Sequence, residues 1–462
     1  MDAVAVRGSD KSQPANYRPI SNLSTVSKIL ERLALARLRA QLICSPNFSR
    51  LQSAYRPGCS TETALLSILD GLYQAIDNKH TAVLVGLDLS AAFDTICHST
   101  LLHRLEIEFG VRDKALAWLE SYLTGRKQFI RIGQHQSKTV LCDAGVPQGS
   151  VLEPLLFAAY VSPVGEIVTS AGLGFHQYAD DTQIFFAMRS ADIQQDLEVL
   201  RVCTDRLRYW FLTNGLMLNP DKSEAIVVGT RQQLCTVVAV QTVPVAGVNL
   251  PIASELKSLG VVIDSRLSFD KHVSAVCRSC NFHMRALSHI RHLLSTQVAH
   301  TLACSIVCSR IDYCNAVLQH APKSTLSKLQ RVQNNLARIV LSAPRRTHAP
   351  PLLYQLHWLP VESRITYKLA LLTFKIRTQS TPRYLYDLLV DRCCVRSTRS
   401  SDMPQYVVPR VRTVIASRAF RVAAPTVWNA LPRSVSSCKT VACFKSHLKT
   451  HLFNIAFNHM LH

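Results

Sequence analysis

Short apolar runs and stretches of helical periodicity alternate irregularly through the first 275 residues. Ala82-Val83-Leu84-Val85-Gly86-Leu87 is an unbroken apolar run, the pattern of a buried strand, with Asp88 at its end. Phe175-His176-Gln177-Tyr178 and Gln183-Ile184-Phe185-Phe186 flank Ala179-Asp180-Asp181, which predicts a β-hairpin with both carboxylates in its turn. Residues 129–132 and 138–141 read as a further pair of strands. Helical spacing covers 24–42, 61–76, 101–123 with a break at Gly110, 151–161 and 193–212. Strands with helices packed on one side, in no regular alternation, predict an α+β domain over residues 1–275. From about 276 to 393 the pattern is helical, at 295–319, 324–342 and 361–378. In the second of these Leu326, Leu329, Leu336 and Ile339 are expected to face a core, with Lys328, Arg331 and Arg338 elsewhere on the surface. Residues 394–462 are rich in Arg, Ser and Pro, with periodicity too weak to assign a fold.

Charge divides the chain more sharply than hydropathy does. Residues 1–230 hold 22 Lys+Arg against 23 Asp+Glu, whereas 231–462 hold 30 against 8, giving +21 overall. A neutral first half and a strongly basic second half point to a polyanion gripped mainly by the second. Hydrophobic residues make up 48% and charged residues 18%, which excludes extended disorder. Neither a secretion signal nor an apolar run of the ~18 residues a membrane helix needs is visible, so a soluble intracellular chain is expected. The 15 cysteines lack a disulfide framework's spacing and read as reduced thiols. Cys277, Cys280 and His283 invite a zinc reading, but their i, i+3, i+6 spacing on a helix favours core packing. Cys304 and Cys308 share that helical spacing.

Strand-end carboxylates are the candidate chemistry. Adjacent acids cannot both ionise cheaply in a partly buried site unless a cation neutralises them. If the strand ending at Asp88 neighbours the hairpin, three carboxylates converge on a site for two cations, suited to in-line phosphoryl displacement. The surrounding motifs sharpen this. In order they are Asn16-Tyr17-Arg18-Pro19-Ile20-Ser21, Gln52-Ser53-Ala54-Tyr55-Arg56-Pro57-Gly58 and Leu87-Asp88-Leu89-Ser90-Ala91-Ala92-Phe93-Asp94. Gly145-Val146-Pro147-Gln148-Gly149-Ser150, Tyr178-Ala179-Asp180-Asp181, Leu218-Asn219-Pro220-Asp221-Lys222-Ser223-Glu224 and Leu259-Gly260-Val261 follow. These seven blocks resemble the reverse transcriptase of non-LTR (LINE-type, Jockey-like) retrotransposons.

The resemblance implies a right-hand polymerase: fingers and an antiparallel palm sheet, then a basic, mostly helical thumb and C-terminal region. It implies an RNA template, a DNA primer, dNTPs and two Mg²⁺ ions, with Mn²⁺ an alternative, and nuclear residence. Asp88 and Asp180 match the metal-binding aspartates, and Asp181 the second acid of the catalytic turn. Phe93 matches the side chain that excludes a ribose 2′-hydroxyl, and Gln148 with Gly149 the contact to incoming nucleotide and template. Lys222 matches a lysine proposed to protonate pyrophosphate; Arg56 and Arg18 match arginines that could hold the triphosphate. Glu153 stands where the family has Gly, and Cys97 where it often has Asp. The chain also starts near the first finger motif, without an upstream endonuclease or a C-terminal zinc knuckle. These departures keep open a catalytically inactive remnant that only binds nucleic acid. An RNA-dependent RNA polymerase is disfavoured by Phe93 and by Ala179.

Overall fold

The computed structural model describes residues 2–5, 17–90, 92–132, 134–392 and 405–458, with side chains from Ile20 onward except that of Ile132. Asn16 of the first motif, Ala91 of the third, and residues 394–404 and 459–462 of the tail lie outside them. Four strands form the central sheet: β1 (Thr81–Ser90), β2 (Gly174–Tyr178), β3 (Asp181–Met188) and β4 (Met217–Val228). Their order is β4-β1-β3-β2 and every pairing is antiparallel. The α+β architecture expected from the sequence is the one observed.

Helices cover the sheet on both faces, which corrects the one-sided packing expected from the sequence. The cause is the continuous apolar run of β1, which leaves neither face fit for water. Ala82 and Leu84 enter one core, where α1 (Thr61–Asp77) supplies Leu65, Leu69 and Leu72. Val83, Val85, Leu87 and Leu89 enter the other, against Phe157 of α2 (Glu153–Tyr160) and Leu200 and Leu207 of α3 (Ile193–Thr213). Ser60 starts α1 with a capping box shared with Thr63, satisfying two backbone donors. The expected pair of strands at 129–132 and 138–141 becomes two nested ladders, Lys127–Gln128 with Val140–Leu141 and Arg131–Ile132 with His135–Gln136.

From Asp270 onward the described chain is mainly helical, with α4 (Asp270–Ile290), α5 (Lys323–Val340), α6 (Val361–Gln379), α7 (Phe420–Asn429), α8 (Arg433–Ser436) and α9 (Val441–Phe457). On α5, Leu329 and Leu336 are buried and Leu326 and Ile339 pack against the same core, as the periodicity predicts. The helix expected at 295–319 is broken instead. Thr296–Ala303 leads into a π-turn at Cys304–Cys308 and on through Ser309–Asp312, and Cys314, at φ 49°, interrupts the path before a 3-10 turn at Asn315–Leu318. Residues 405–458, unassignable from sequence, fold back on α1. Arg421 donates to the buried Asp70 carboxylate (Nε to Oδ2, 2.6 Å), and the Arg412 and Thr413 N–H groups donate to Asp77.

Candidate active site

The hairpin register decides where the acids stand. Tyr178 pairs with Asp181, so Ala179-Asp180 is the two-residue turn and Asp181 the first residue of β3. The expected turn is therefore corrected by one residue. On the other side of β3, Leu87 of β1 lies opposite Thr182, which brings Asp88 level with Asp181. Asp88 itself lies within β1, opposite Asn219 of β4, and its N–H donates to Ser223 Oγ at 3.3 Å. Between Asn219 and Glu224 the register of β4 slips, and this bulge takes Lys222 off the ladder. As a result Asp88, Asp181 and Lys222 line one cleft of about 150 Å³, with Gln183, Glu224 and Lys257.

Asp181 is exposed as a residue, yet the protein around its carboxyl withholds water. That effect first, then the charges of Asp180 and Asp88, raise its pKa from 3.8 to about 6. Asp180 sits on the turn beside Tyr55, whose hydroxyl is raised by burial and then by that charge. Three mutually repelling carboxylates are a hard oxygen donor set, the kind that a divalent cation relieves. Among the described residues, Cys438, Cys443 and His447 are the group of three whose ligand atoms all lie within 4.8 Å.

The turn is held from below by a residue the sequence left without a role. Ala179 has φ 57°, a left-handed conformation that costs an alanine about 1 kcal/mol. Gln52, fully buried, accepts from the Ala179 N–H (2.9 Å) and donates to the Ala179 carbonyl (3.1 Å). The segment from Leu51 to Ser53 runs beside β2, with Ser53 N donating to the Gln177 carbonyl and Gln177 N to that of Leu51. Ser53 Oγ lies 2.8 Å from His176 Nε2, and burial lowers that imidazole to about 3, so it is neutral.

Gln148 is positioned by Asp94, whose Oδ2 accepts from Gln148 Nε2 at 3.0 Å. Gly145 must be glycine: it has φ 85°, and a Cβ there would meet the Asp94 carbonyl oxygen at 2.7 Å. Gly149, at φ 89°, donates its N–H to Glu153 Oε2 at 2.6 Å. Burial, opposed by that hydrogen bond and reinforced by Asp94 and Glu31, pushes Glu153 up from 4.5 to about 7. Glu31, buried on the helix Thr25–Cys44, accepts from Val151 N (2.6 Å) and Leu152 N (3.2 Å) and so holds the two residues that lead into α2. Phe93 is half-buried, its ring 4.4 Å from that of Phe157.

The remaining candidates divide. Lys222 is exposed at the cleft. Arg56 Nη1 donates to the Ser49, Arg50 and Gln52 carbonyls and its guanidinium lies over Phe48, so it braces its own loop. Arg18 lies on the strand Tyr17–Ile20, and its side chain is outside the described set. Cys97 precedes the helix His98–Ile107 without capping it, and hydrogen bonds from Ser99 and Thr100 lower its thiol to about 7. Cys280 is buried in the core with its Sγ near the Val307 carbonyl, in line with the packing role expected of it. Gln52, Glu31 and Asp94 carry roles that sequence reasoning did not assign them. Gln52 and Asp94 stand inside the seven motif blocks, but Gln52 meets its partner 127 positions away.

Residues 9–263 match the family model described as reverse transcriptase (RNA-dependent DNA polymerase). Over 344 residues the chain is 28% identical to a probable RNA-directed DNA polymerase from transposon X-element of Drosophila melanogaster, covering 72% of this chain and 36% of that protein. It is 28% identical over 374 residues to its counterpart from transposon BS of that fly, covering 78% and 40%. With the RNA-directed DNA polymerase from mobile element jockey, also of Drosophila melanogaster, identity is 27% over 338 residues, covering 71% and 36%. The chain thus spans well under half the length of these relatives.

Proposed function

The chain belongs to the reverse transcriptase family, and from that premise we propose that it extends a DNA primer on an RNA template, using dNTPs. The observation that carries the reading is the cleft shared by Asp88, Asp181 and Lys222. Asp88 and Asp181, with Asp180 on the adjoining turn, would hold divalent cations, Mg²⁺ or Mn²⁺. Such ions, when bound, make the primer 3′-hydroxyl a better nucleophile and stabilise the departing pyrophosphate. The chain's own groups do the rest. Lys222 holds a proton at the cleft for the leaving phosphate. Gln148, fixed by Asp94, meets the incoming nucleotide and template. Phe93, braced by Phe157, stands against the sugar and disfavours a 2′-hydroxyl. Arg278 and Arg285 on α4 and Arg331 on α5 line a groove of about 670 Å³ suited to a phosphate backbone.

A remnant that only binds nucleic acid is the second reading, favoured by Glu153. Its hydrogen bond to Gly149 N–H supports accommodation of the carboxylate at the start of α2, because an acid suits a helix N-terminus. Primer extension on poly(rA)/oligo(dT) with Mg²⁺ distinguishes the readings. The proposal expects dTTP to be incorporated far faster than UTP, and Phe93→Ala to narrow that preference. Retained template binding with no incorporation would establish the remnant instead.

A further inference from the structure

Cys438, Cys443 and His447 form a cluster at the opposite end of the chain from the acids, outside the polymerase motifs. Cys438 follows α8, Cys443 sits in the first turn of α9, and His447 comes one turn later on the same face. The two sulfurs are 3.3 Å apart, Cys438 Sγ is 3.4 Å from His447 Nδ1, and all three ligand atoms lie within 4.8 Å of one another. A tetrahedral zinc with bonds of ~2.3 Å to sulfur and ~2.0–2.1 Å to nitrogen needs S···S and S···N edges of roughly 3.8 Å and 3.6 Å. The two edges at Cys438 are therefore within about half an ångström of that geometry, and the third, from Cys443 to His447, is within 4.8 Å. Sulfurs at this distance are not bonded to each other, since a disulfide is ~2.05 Å long.

We propose that Cys438, Cys443 and His447 bind one zinc ion, with water in the fourth position. The soft donor set selects zinc over the hard cation suited to the acids. Thr440 caps α9 by accepting from the Cys443 N–H at 3.2 Å, which fixes the backbone of that ligand. His447 Nδ1 now lies 2.9 Å from the Ser434 carbonyl. Metal binding would move the imidazole proton to Nε2 and turn Nδ1 from that carbonyl to the ion. Beneath the cluster Val435, Phe444 and Leu448 are buried, so zinc would staple the α8–α9 corner onto its core. This inference stands apart from the polymerase reading.

The test uses the full chain, reduced with a phosphine, stripped by chelator and titrated with Co²⁺. The expected result is a sulfur-to-cobalt charge-transfer band saturating at one equivalent, bleached by one equivalent of Zn²⁺. Cys438→Ser and Cys443→Ser should each abolish the band, and His447→Ala should weaken it. Cys44→Ser/Cys235→Ser, removing two exposed thiols, should leave it intact. Unchanged circular dichroism in the variants excludes misfolding, and in the native chain Zn²⁺ should raise Tm reversibly on chelation. No band in the native chain, or a band that survives in both single cysteine variants, overturns the proposal. So does a Cys438–Cys443 disulfide in the native chain that leaves the reduced pair unable to bind metal.

Discussion

Gln52 commits both ends of its amide to one strained residue of the acidic turn. Gln52→Ala strands the buried Ala179 N–H and weakens a left-handed backbone, so stability should fall by about 2 kcal/mol in denaturant melts. If the proposed function holds, extension should slow through kcat while template affinity stays the same. Glu153 makes a prediction in pH. Its folded pKa of about 7 lies above the ordinary 4.5, so its favourable contribution is complete below pH 4.5 and is lost as pH rises through 7. The stability of the native chain relative to Glu153→Gln should fall across that window. A difference that stays flat with pH would show that the carboxyl is not buried as described. The identity of both residues was legible in the sequence, and their partners were not. Gln52 read as one letter of a motif, and Glu153 as a misfit, because neither Ala179 nor the Gly149 N–H is marked by composition.

At the scale of elements, β1, the acidic hairpin and most helices followed from periodicity because β1 is uninterrupted and α5 amphipathic, whereas β4, half polar along its length, did not. What failed was the path between them. The π-turn at Cys304–Cys308 and the left-handed Cys314 break a helix whose apolar spacing continues through both. The last 54 described residues, 405–458, gave no pattern because their partners are distant in sequence: Arg421 meets Asp70 across 351 positions. The Asp70 side chain is 2% exposed, so removing its partner leaves a buried charge uncompensated. Arg421→Ala should cost about 3–5 kcal/mol, read as a fall in denaturation midpoint, and loosen the C-terminal helices from α1. Arg421→Lys, which keeps the charge but loses the paired donors, should fall between. A loss below about 1 kcal/mol, the range of an exposed ion pair, would mean that the C-terminal segment does not dock on α1.

For the whole molecule, part of the basic excess read from the sequence, Arg278, Arg285, Lys328 and Arg331, lines the groove between α4 and α5. Replacing Arg278 and Arg285 with Glu should weaken template–primer binding at every sequence alike. It should also make the dependence of log affinity on log salt shallower, by about one unit of slope for each phosphate no longer neutralised. The palm acids were legible because their order along the chain carries the family's motifs, whereas their grouping depends on the hairpin register and the β4 bulge. We propose that this grouping is the site of DNA synthesis on RNA. It is tested most directly by Mg²⁺-dependent dTTP incorporation on poly(rA)/oligo(dT), comparing the native chain with Asp88→Asn and Asp181→Asn at matched template occupancy. The native chain should incorporate dTTP, each variant should lose at least about a hundredfold, and template binding should be unchanged. Equal incorporation by all three proteins would contradict it.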